Sequence, residues 1–323
     1  MNVRDLTQCF KDLHYEVCVL KFSEIDYTAD YHGCYILYQT SEASGAFYKH
    51  FIEDIVYELQ ERGAVLLPEF RYLKAHHNKV YMEILRSSFK DDMLKTITSR
   101  VCGNPDEALK NISGFPTVIK RTAGSGSNGV FLAHNHKEYK KLIRKASLVG
   151  FSENHSWIKD WTKNSIKKCI NCVKKEKYKI ELPCYNSFII QNFIPGLSGD
   201  FKVLYFGGKY FTLYRKNRNN DFRASGSGKL FEVKEQEHIG LLDFARKITK
   251  EIDFPILGLD IGYDGLQYHL IEFQMLHIGP YTLQASRFWH EYQDGIWIRK
   301  EGSSDLEQEF ARSIDFFIRT KSN

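Results

Sequence analysis

The sequence predicts an α/β fold of the α+β kind, with a small N-terminal α/β unit at 1–75 and two α+β subdomains at 76–186 and 187–323. Three observations carry that expectation. A helical pattern is flanked by short apolar runs in the first 75 residues. A glycine-rich stretch around Gly126 lies between two strand-length apolar runs. Two later apolar runs each enclose one carboxylate, Asp260 and Glu272.

The first apolar runs of strand length are Val17 to Leu20 and Gly33 to Tyr38. Phe51, Ile52, Ile55, Val56 and Leu59 then fall at helical spacing, and Arg62-Gly63 marks the stop. Ala64 to Leu67 reads as another buried strand, and strand–helix–strand order favours parallel pairing. A helix begins near Lys79, and a short one near Asp106 after Asn104-Pro105. Strands Phe115 to Lys120 and Val130 to Ala133 flank the glycines, followed by a lysine-rich helix from Lys137 to Ala146. Strands resume with Ser187 to Phe193, Asp200 to Phe206 and Lys209 to Tyr214, the last two joined by a Gly207-Gly208 hairpin turn. A helix from Gly240 to Ile252 precedes strands Ile256 to Ile261 and Tyr268 to Phe273, which meet across Asp264-Gly265.

With 43% hydrophobic and 26% charged residues over 323 positions, the chain is globular and long enough for more than one core. No apolar run approaches the roughly 20 residues that span a bilayer, and no secretory apolar region follows Met1. A cytoplasmic location without a membrane span is expected. The net charge of +5 is mild, and much of it sits between Lys163 and Lys179, in a basic insertion at 151–185 that reads as a solvated face. Aromatic residues follow apolar strand and helix patterns, so no nucleic-acid partner is expected. Seven cysteines without an export signal predict free thiols. Cys169 and Cys172 form a Cys-x-x-Cys pair with Cys184 twelve residues on, but no fourth zinc ligand is obvious, His155 being poorly spaced.

Gly124, Gly126 and Gly129 spell G-x-G-x-x-G, a pattern that lets backbone N–H groups approach phosphate oxygens. A Rossmann loop must lead into a helix, whereas Val130 to Ala133 is a strand. A Walker loop ends in G-K-[ST], which is absent. A protein-kinase loop does lie between strands, but the chain has neither H-R-D nor D-F-G. What remains is a hairpin loop over a nucleotide, preceded by Lys120, or an ordinary glycine turn.

Charges inside buried strands need compensating partners, so Asp260 and Glu272 must have them. Gln274 shares the face of Glu272, because strand side chains repeat every two residues. Pairing of the two strands brings three oxygen-bearing side chains together, a set suited to Mg²⁺. Buried salt bridges with Arg215 or Arg223 are the alternative. Arg223 offers a planar fork for phosphate oxygens, and Ser225 to Gly228 a second backbone cradle.

Taken in order, Lys79, Lys120 with the glycine loop, Gln191-Asn-Phe-Ile-Pro-Gly196, Gly199-Asp200, Arg215, Asn220-Asp-Phe-Arg223, Asp260 and Glu272-Phe-Gln274 form a succession. It resembles the ATP-grasp superfamily, nearest the branch of ribosomal-protein glutamate ligase and the amino-acid ligases, over Lys79 to Gly279. The resemblance implies two subdomains clasping ATP. Lys79 and Lys120 would meet the phosphates, and Ser125, Gly126, Ser127 and Gly129 would close over them. Gln191, Asn192, Phe193 and Ile194 would form the hinge that reads adenine, with Asp200 toward ribose or substrate. Asp260, Glu272 and Gln274 would hold two Mg²⁺ ions, Mn²⁺ being able to substitute. Arg223, with Lys120 and Arg215, would act on the transferred phosphoryl group. Gln274 stands where the family usually has Asn. The segment after it departs from the family's Pro-Gly, so His277, Tyr281, Ser286 and Arg287, together with Ser225 and Ser227, become substrate candidates.

The activity so implied is an ATP-dependent carboxylate–amine ligase working through an acylphosphate. Its substrates would be a small-molecule carboxylate and an amine, the carboxylate being a uronic acid or sugar of a surface polysaccharide. Amino-acid or peptide ligation, phosphorylation of a small molecule or sugar, and nucleotide binding without catalysis are the alternatives. A homodimer is compatible with all of them.

Overall fold

The computed structural model describes residues 1–323 apart from 43–45, 111, 113, 125–128, 149–161, 164, 168, 173–184, 220, 225, 234 and 322–323, and apart from the side chains of 235–238. Ser125, Gly126, Ser127, Ser225, His155 and most of the basic insertion therefore lie outside the described residues.

In the N-terminal unit, β1 (Tyr35–Leu37) pairs in parallel with β2 (Val65–Leu67). The connecting helix, which follows α1 (Val3–Asp12), is α2 (Phe47–Glu61). It buries Ile52, Ile55, Val56 and Leu59 as the spacing predicts, while Phe51 is exposed. Its end is a glycine-dependent closure. Gly63 N–H donates to the Gln60 carbonyl at 3.0 Å and Ala64 N–H to that of Leu59 at 3.1 Å, with Gly63 at φ +89°. Tyr38, Leu66 and Leu73 complete this core, joined by Leu276 from far along the chain.

Val17 to Leu20 is not a strand. Val19 and Leu20 are exposed, and the segment links α1 to the first strand. Four apolar residues without a partner strand cannot satisfy a ladder. The α1 helix itself packs on the C-terminal helix, and the Tyr15 hydroxyl donates to Asp315 at 2.9 Å. Phe10 thus belongs to the C-terminal core.

The second unit contains an antiparallel sheet in the order β3 (Ser99–Cys102), β6 (Phe188–Asn192), β4 (Thr117–Arg121), β5 (Val130–Ala133). Helices α3 (Phe70–Ala75) and α4 (Lys79–Ser87) precede it. Helices α5 (Pro105–Lys110) and α6 (His136–Ser147) close a core of Ala108, Ile119, Tyr139, Ile143 and Phe188. The stretch Phe188–Asn192, read from the sequence as opening the third unit, pairs with β3 and β4 and so belongs to this sheet.

The third unit is a larger antiparallel sheet in the order β11 (Tyr268–Gln274), β10 (Ile256–Tyr263), β7 (Gly199–Phe206), β8 (Lys209–Lys216), β12 (Phe288–Gln293), β13 (Ile296–Glu301), with β9 (Leu230–Phe231) on β8. Helix α7 (Glu235–Ile252) buries Leu241, Leu242, Ala245 and Ile248 in its core. The short α8 (Tyr281–Ala285) follows β11, and α9 (Leu306–Lys321) adds Ala311, Ile314 and Ile318. Gly207 and Gly208 turn the β7–β8 hairpin with φ +46° and +98°, both in the left-handed region that a primed turn requires. The β12–β13 hairpin turns on Asp294-Gly295. No helix among the described residues is long and apolar enough to cross a membrane.

Gly199 opens β7 opposite β8, and a Cβ there would collide with the Arg215 carbonyl and the Tyr214 ring. Gly199→Ala is expected to cost about 1–3 kcal/mol, read as a lower urea midpoint at unchanged slope.

Candidate active site

A cavity of about 710 Å³ lies between the two antiparallel sheets, with α4 forming part of its wall. One side is a stripe of charge running across four strands. Strand register sets Arg215 opposite Asp200, Lys202 opposite Asp260, and Asp260 opposite Glu272. The period of two adds Gln274 beside Glu272, and all six side chains belong to the cavity lining. Arg215 holds Asp200 through Nε at 2.6 Å and Nη2 at 2.9 Å, and reaches Asp260 through Nη2 at 2.7 Å. The Lys202 ammonium takes the other Asp260 oxygen at 3.0 Å. Gln274 donates to Glu272 at 3.1 Å.

Burial alone would raise the Asp260 carboxyl, but Lys202 and Arg215 more than offset it and hold it well below the ordinary carboxylate range. Asp200 moves the other way, raised first by burial and then by the charge of Asp260, against the pull of Arg215. Two carboxylates thus share one guanidinium, and Asp260 is the more firmly ionised. Arg215 is raised in turn: its carboxylates outweigh the burial that would lower it.

The opposite wall is α4, whose inward face is charged. Lys79, Glu83 and Arg86, at i, i+4 and i+7, are buried alongside Met82. Asn78 caps the helix by accepting from Tyr81 N–H at 3.1 Å. Lys79 N–H donates to the Thr122 carbonyl at 2.9 Å, and its ammonium to that of Gly124 at 2.8 Å. The helix start is thereby tied to the strand end that leads into the glycine loop. Glu83 accepts from Ser99 at 2.6 Å and pairs with Arg86 at 3.3 Å, while Arg86 also donates to the Ile271 carbonyl of β11 at 2.9 Å. Lys120 is crowded by this group. Burial pushes its ammonium down to about 8, against the opposing pull of Glu83 and Glu272.

The cavity gathers most of the residues singled out from the sequence: Lys79, Lys120, Gln191 to Ile194, Arg223, Ser227, His277 and Tyr281 line it along with the stripe. Gly129 stands beside it at φ +80°, its carbonyl accepting from Arg121 N–H at 2.9 Å to close the β4–β5 hairpin. Arg223 pairs with Asp221 at 2.6 Å rather than with Asp260 or Glu272. Gln191 is committed to the sheet, donating to Ser99 at 2.8 Å and accepting from the Thr117 hydroxyl at 2.9 Å. The strand ends at Asn192, so Phe193 and Ile194 lie just beyond the ladder. Ser286 donates to the Thr282 carbonyl at 2.6 Å, and exposed Arg287 lies outside the cavity lining.

Sequence reasoning missed Lys202, Glu83 and Arg86, although the strand and helix periods point to them from Asp200 and Lys79. It also missed Glu42, His76 and His77, which line the same cavity.

No protein-family description and no curated protein matches this sequence. Solved structures do match its fold. D-cycloserine synthetase DcsG is 11% identical with a TM-score of 0.53, covering 98% of this chain and 94% of that one. An ATP-grasp RimK domain protein from Sphaerobacter thermophilus is 11% identical with a TM-score of 0.51, covering 97% and 96%. An ADP complex of purK, N5-carboxyaminoimidazole ribonucleotide synthetase, is 12% identical with a TM-score of 0.50; 75% of this chain matches 55% of that one. The chain has the ATP-grasp fold.

Removing Arg215 leaves two buried carboxylates facing each other. Arg215→Ala is expected to cost about 3–5 kcal/mol in denaturant titrations, and adding Asp200→Asn should recover part of that loss.

Proposed function

We propose that this protein is an ATP-dependent carboxylate–amine ligase, with the cavity between its two sheets as the active site. One observation carries the reading: in an ATP-grasp fold, Lys79 and Lys120 lie on one side of a single cavity and Asp260, Glu272 and Gln274 on the other. Cations at the phosphates and hard oxygen donors for Mg²⁺ are the parts that phosphoryl transfer to a carboxylate requires.

The donor set fits Mg²⁺. It is made of oxygens alone, and the ion pairs of Asp260 with Lys202 and Arg215 leave each carboxylate oxygen a second lone pair. Asp260, Glu272 and Gln274 would hold the metal, which when bound neutralises phosphate charge. The amide carbonyl of Gln274 serves here as that of Asn would, one methylene further out.

The chain's own residues do the rest. Phe193 and Ile194 offer backbone groups to adenine just past the end of β6. Lys79 and Lys120 neutralise the polyphosphate. The carboxylate substrate attacks the γ-phosphorus, the bond to the β-phosphate oxygen breaks, and ADP leaves. Arg223, on the loop between β8 and β9, releases Asp221 to steady the acylphosphate oxygens. An amine then attacks the carbonyl carbon, phosphate departs and the amine loses a proton. Because nucleotide, carboxylate and transition state are all anionic, fixed cations supply most of the stabilisation. The carboxylate is a uronic acid of a surface glycan or an amino acid; His277, Tyr281 and Ser227 line the cavity where it would be recognised.

Three outcomes are expected. In a matrix of uronic acids, amino acids and amines, one pair elicits ADP release, and ¹⁸O from the labelled carboxylate appears in phosphate. Transfer of phosphate to a hydroxyl without that label identifies a kinase instead. Glu272→Gln lowers ADP release by at least about 100-fold with the circular-dichroism melt retained; near-normal turnover removes Glu272 from the metal site. Lys120 is protonated below about 8, against its ordinary 10.5, and a triphosphate favours the protonated form. Nucleotide affinity should therefore be level below pH 8 and fall by up to about 10-fold per pH unit above it. Titrations with a non-hydrolysable ATP analogue check this slope, which Lys120→Met should abolish.

A further inference from the structure

At the end of the cavity toward the N-terminal unit, three imidazoles converge on one carboxylate oxygen. Oε1 of Glu42 lies 2.9 Å from His277 Nδ1, 3.1 Å from His77 Nε2 and 3.4 Å from His76 Nε2. His76 and His77 stack face to face at 4.7 Å, and His277 meets His76 edge-on at 4.9 Å. His76 is 6% exposed, and its Nε2 is buried without a hydrogen-bond partner. Unsatisfied buried nitrogens of this kind call for an explanation. His77 and His277 each hold a left-handed backbone, at φ +51° and +49°, a conformation that costs a residue with a Cβ about 1–2 kcal/mol.

We propose that Glu42, His76 and His277 form a binding site for a divalent transition-metal ion of the zinc type, with an open position toward the cavity. Ligand atoms of the three lie within 4.8 Å of one another. Bonds of about 2.0–2.1 Å to nitrogen and oxygen place tetrahedral donors about 3.3–3.4 Å apart. The His76–Glu42 separation of 3.4 Å already has that value. Two imidazoles and one carboxylate are the donor set of an open zinc site, which keeps its fourth position for water or a ligand. His77 is placed as the partner that orients Glu42.

The nitrogen-rich set distinguishes this site from the oxygen donors at Asp260 and Glu272. Mg²⁺ prefers oxygen and dehydrates reluctantly, so it should not compete here. An ion at this end would present its open position to a carboxylate or amine group entering the cavity. Metal binding at Glu42, His76 and His277 does not depend on which reaction the nucleotide end performs.

Co²⁺ is the probe, on the full chain with excess Mg²⁺ present and with the exposed Cys18, Cys34, Cys169 and Cys172 replaced by Ser, since a thiolate would bind the same ion. The expected result is one equivalent of Co²⁺ retained on dialysis, with intense visible d–d bands of a low-coordinate site and no thiolate charge-transfer band. Zn²⁺ should displace it. Glu42→Gln and His277→Ala, at partly exposed positions, should weaken retention at least as much as loss of an outer-shell partner does, about 10–100-fold, while the circular-dichroism melt stays in place. Absence of retained Co²⁺, displacement by Mg²⁺, or retention unchanged in both variants overturns the site.

Discussion

Arg215 is the group on which the large sheet's polar face depends. Two carboxylates from neighbouring strands, Asp200 and Asp260, are both mostly buried, and neither is tolerable there without a cation. One planar guanidinium satisfies both because β8, β7 and β10 are in the register that brings it within 2.9 Å of each. A slip of one residue in any of those strands would turn the charges toward Phe201, Val203 and Leu259 in the apolar core. The ion pairs therefore specify strand pairing more than they add net stability. Neutralising Asp260 on two sides also fixes the position of its carboxylate across from Glu272.

How much of this was visible beforehand follows from which periodicities carry charge. Asp260, Glu272 and Gln274 were legible because a carboxylate inside an apolar strand has few explanations. Lys202 stands two residues after Asp200 and obeys the same rule, but a lysine in a strand is easily taken for a solvated edge. On α4 the spacing of Lys79, Glu83 and Arg86 is helical, yet the pattern inverts the usual one by placing charge inside. The pairing of β6 with β3 and β4 brings together segments roughly ninety and seventy residues apart, which local patterns do not encode. Nor does any local signal connect Glu42, His76 and His277, three positions brought together only when the N-terminal unit meets the segment after β11. Asp294-Gly295 carries a plain hairpin signature between aromatic-rich runs that the sequence reading passed over, and Val17 to Leu20 shows that a short apolar run can simply lack a partner.

The two walls of the cavity are prepared differently. On the strand side each cation already has its anion. On the other side Lys79 of α4 donates to a backbone carbonyl, and Lys120 of β4 is held as a cation at the expense of its own desolvation. An ammonium in that state gains more from an arriving phosphate than a fully hydrated one would. Glu83 moderates the strain from beneath, bonded to Ser99, which in turn accepts from Gln191. The base of the proposed hinge and the support of the proposed phosphate cation thus belong to one hydrogen-bonded chain.

Leu276 lies two residues beyond Gln274, yet its side chain is buried among Ile52, Val56, Leu59 and Leu73 of the N-terminal unit. The strand end that presents Glu272 and Gln274 is therefore pinned from the far side by a different core. For evolution this discourages module exchange. A recombined chain that received a foreign N-terminal unit would have to supply a matching socket for Leu276, or leave an apolar side chain bare close to Glu272 and Gln274. The first 75 residues and the segment that follows β11 are expected to be inherited together.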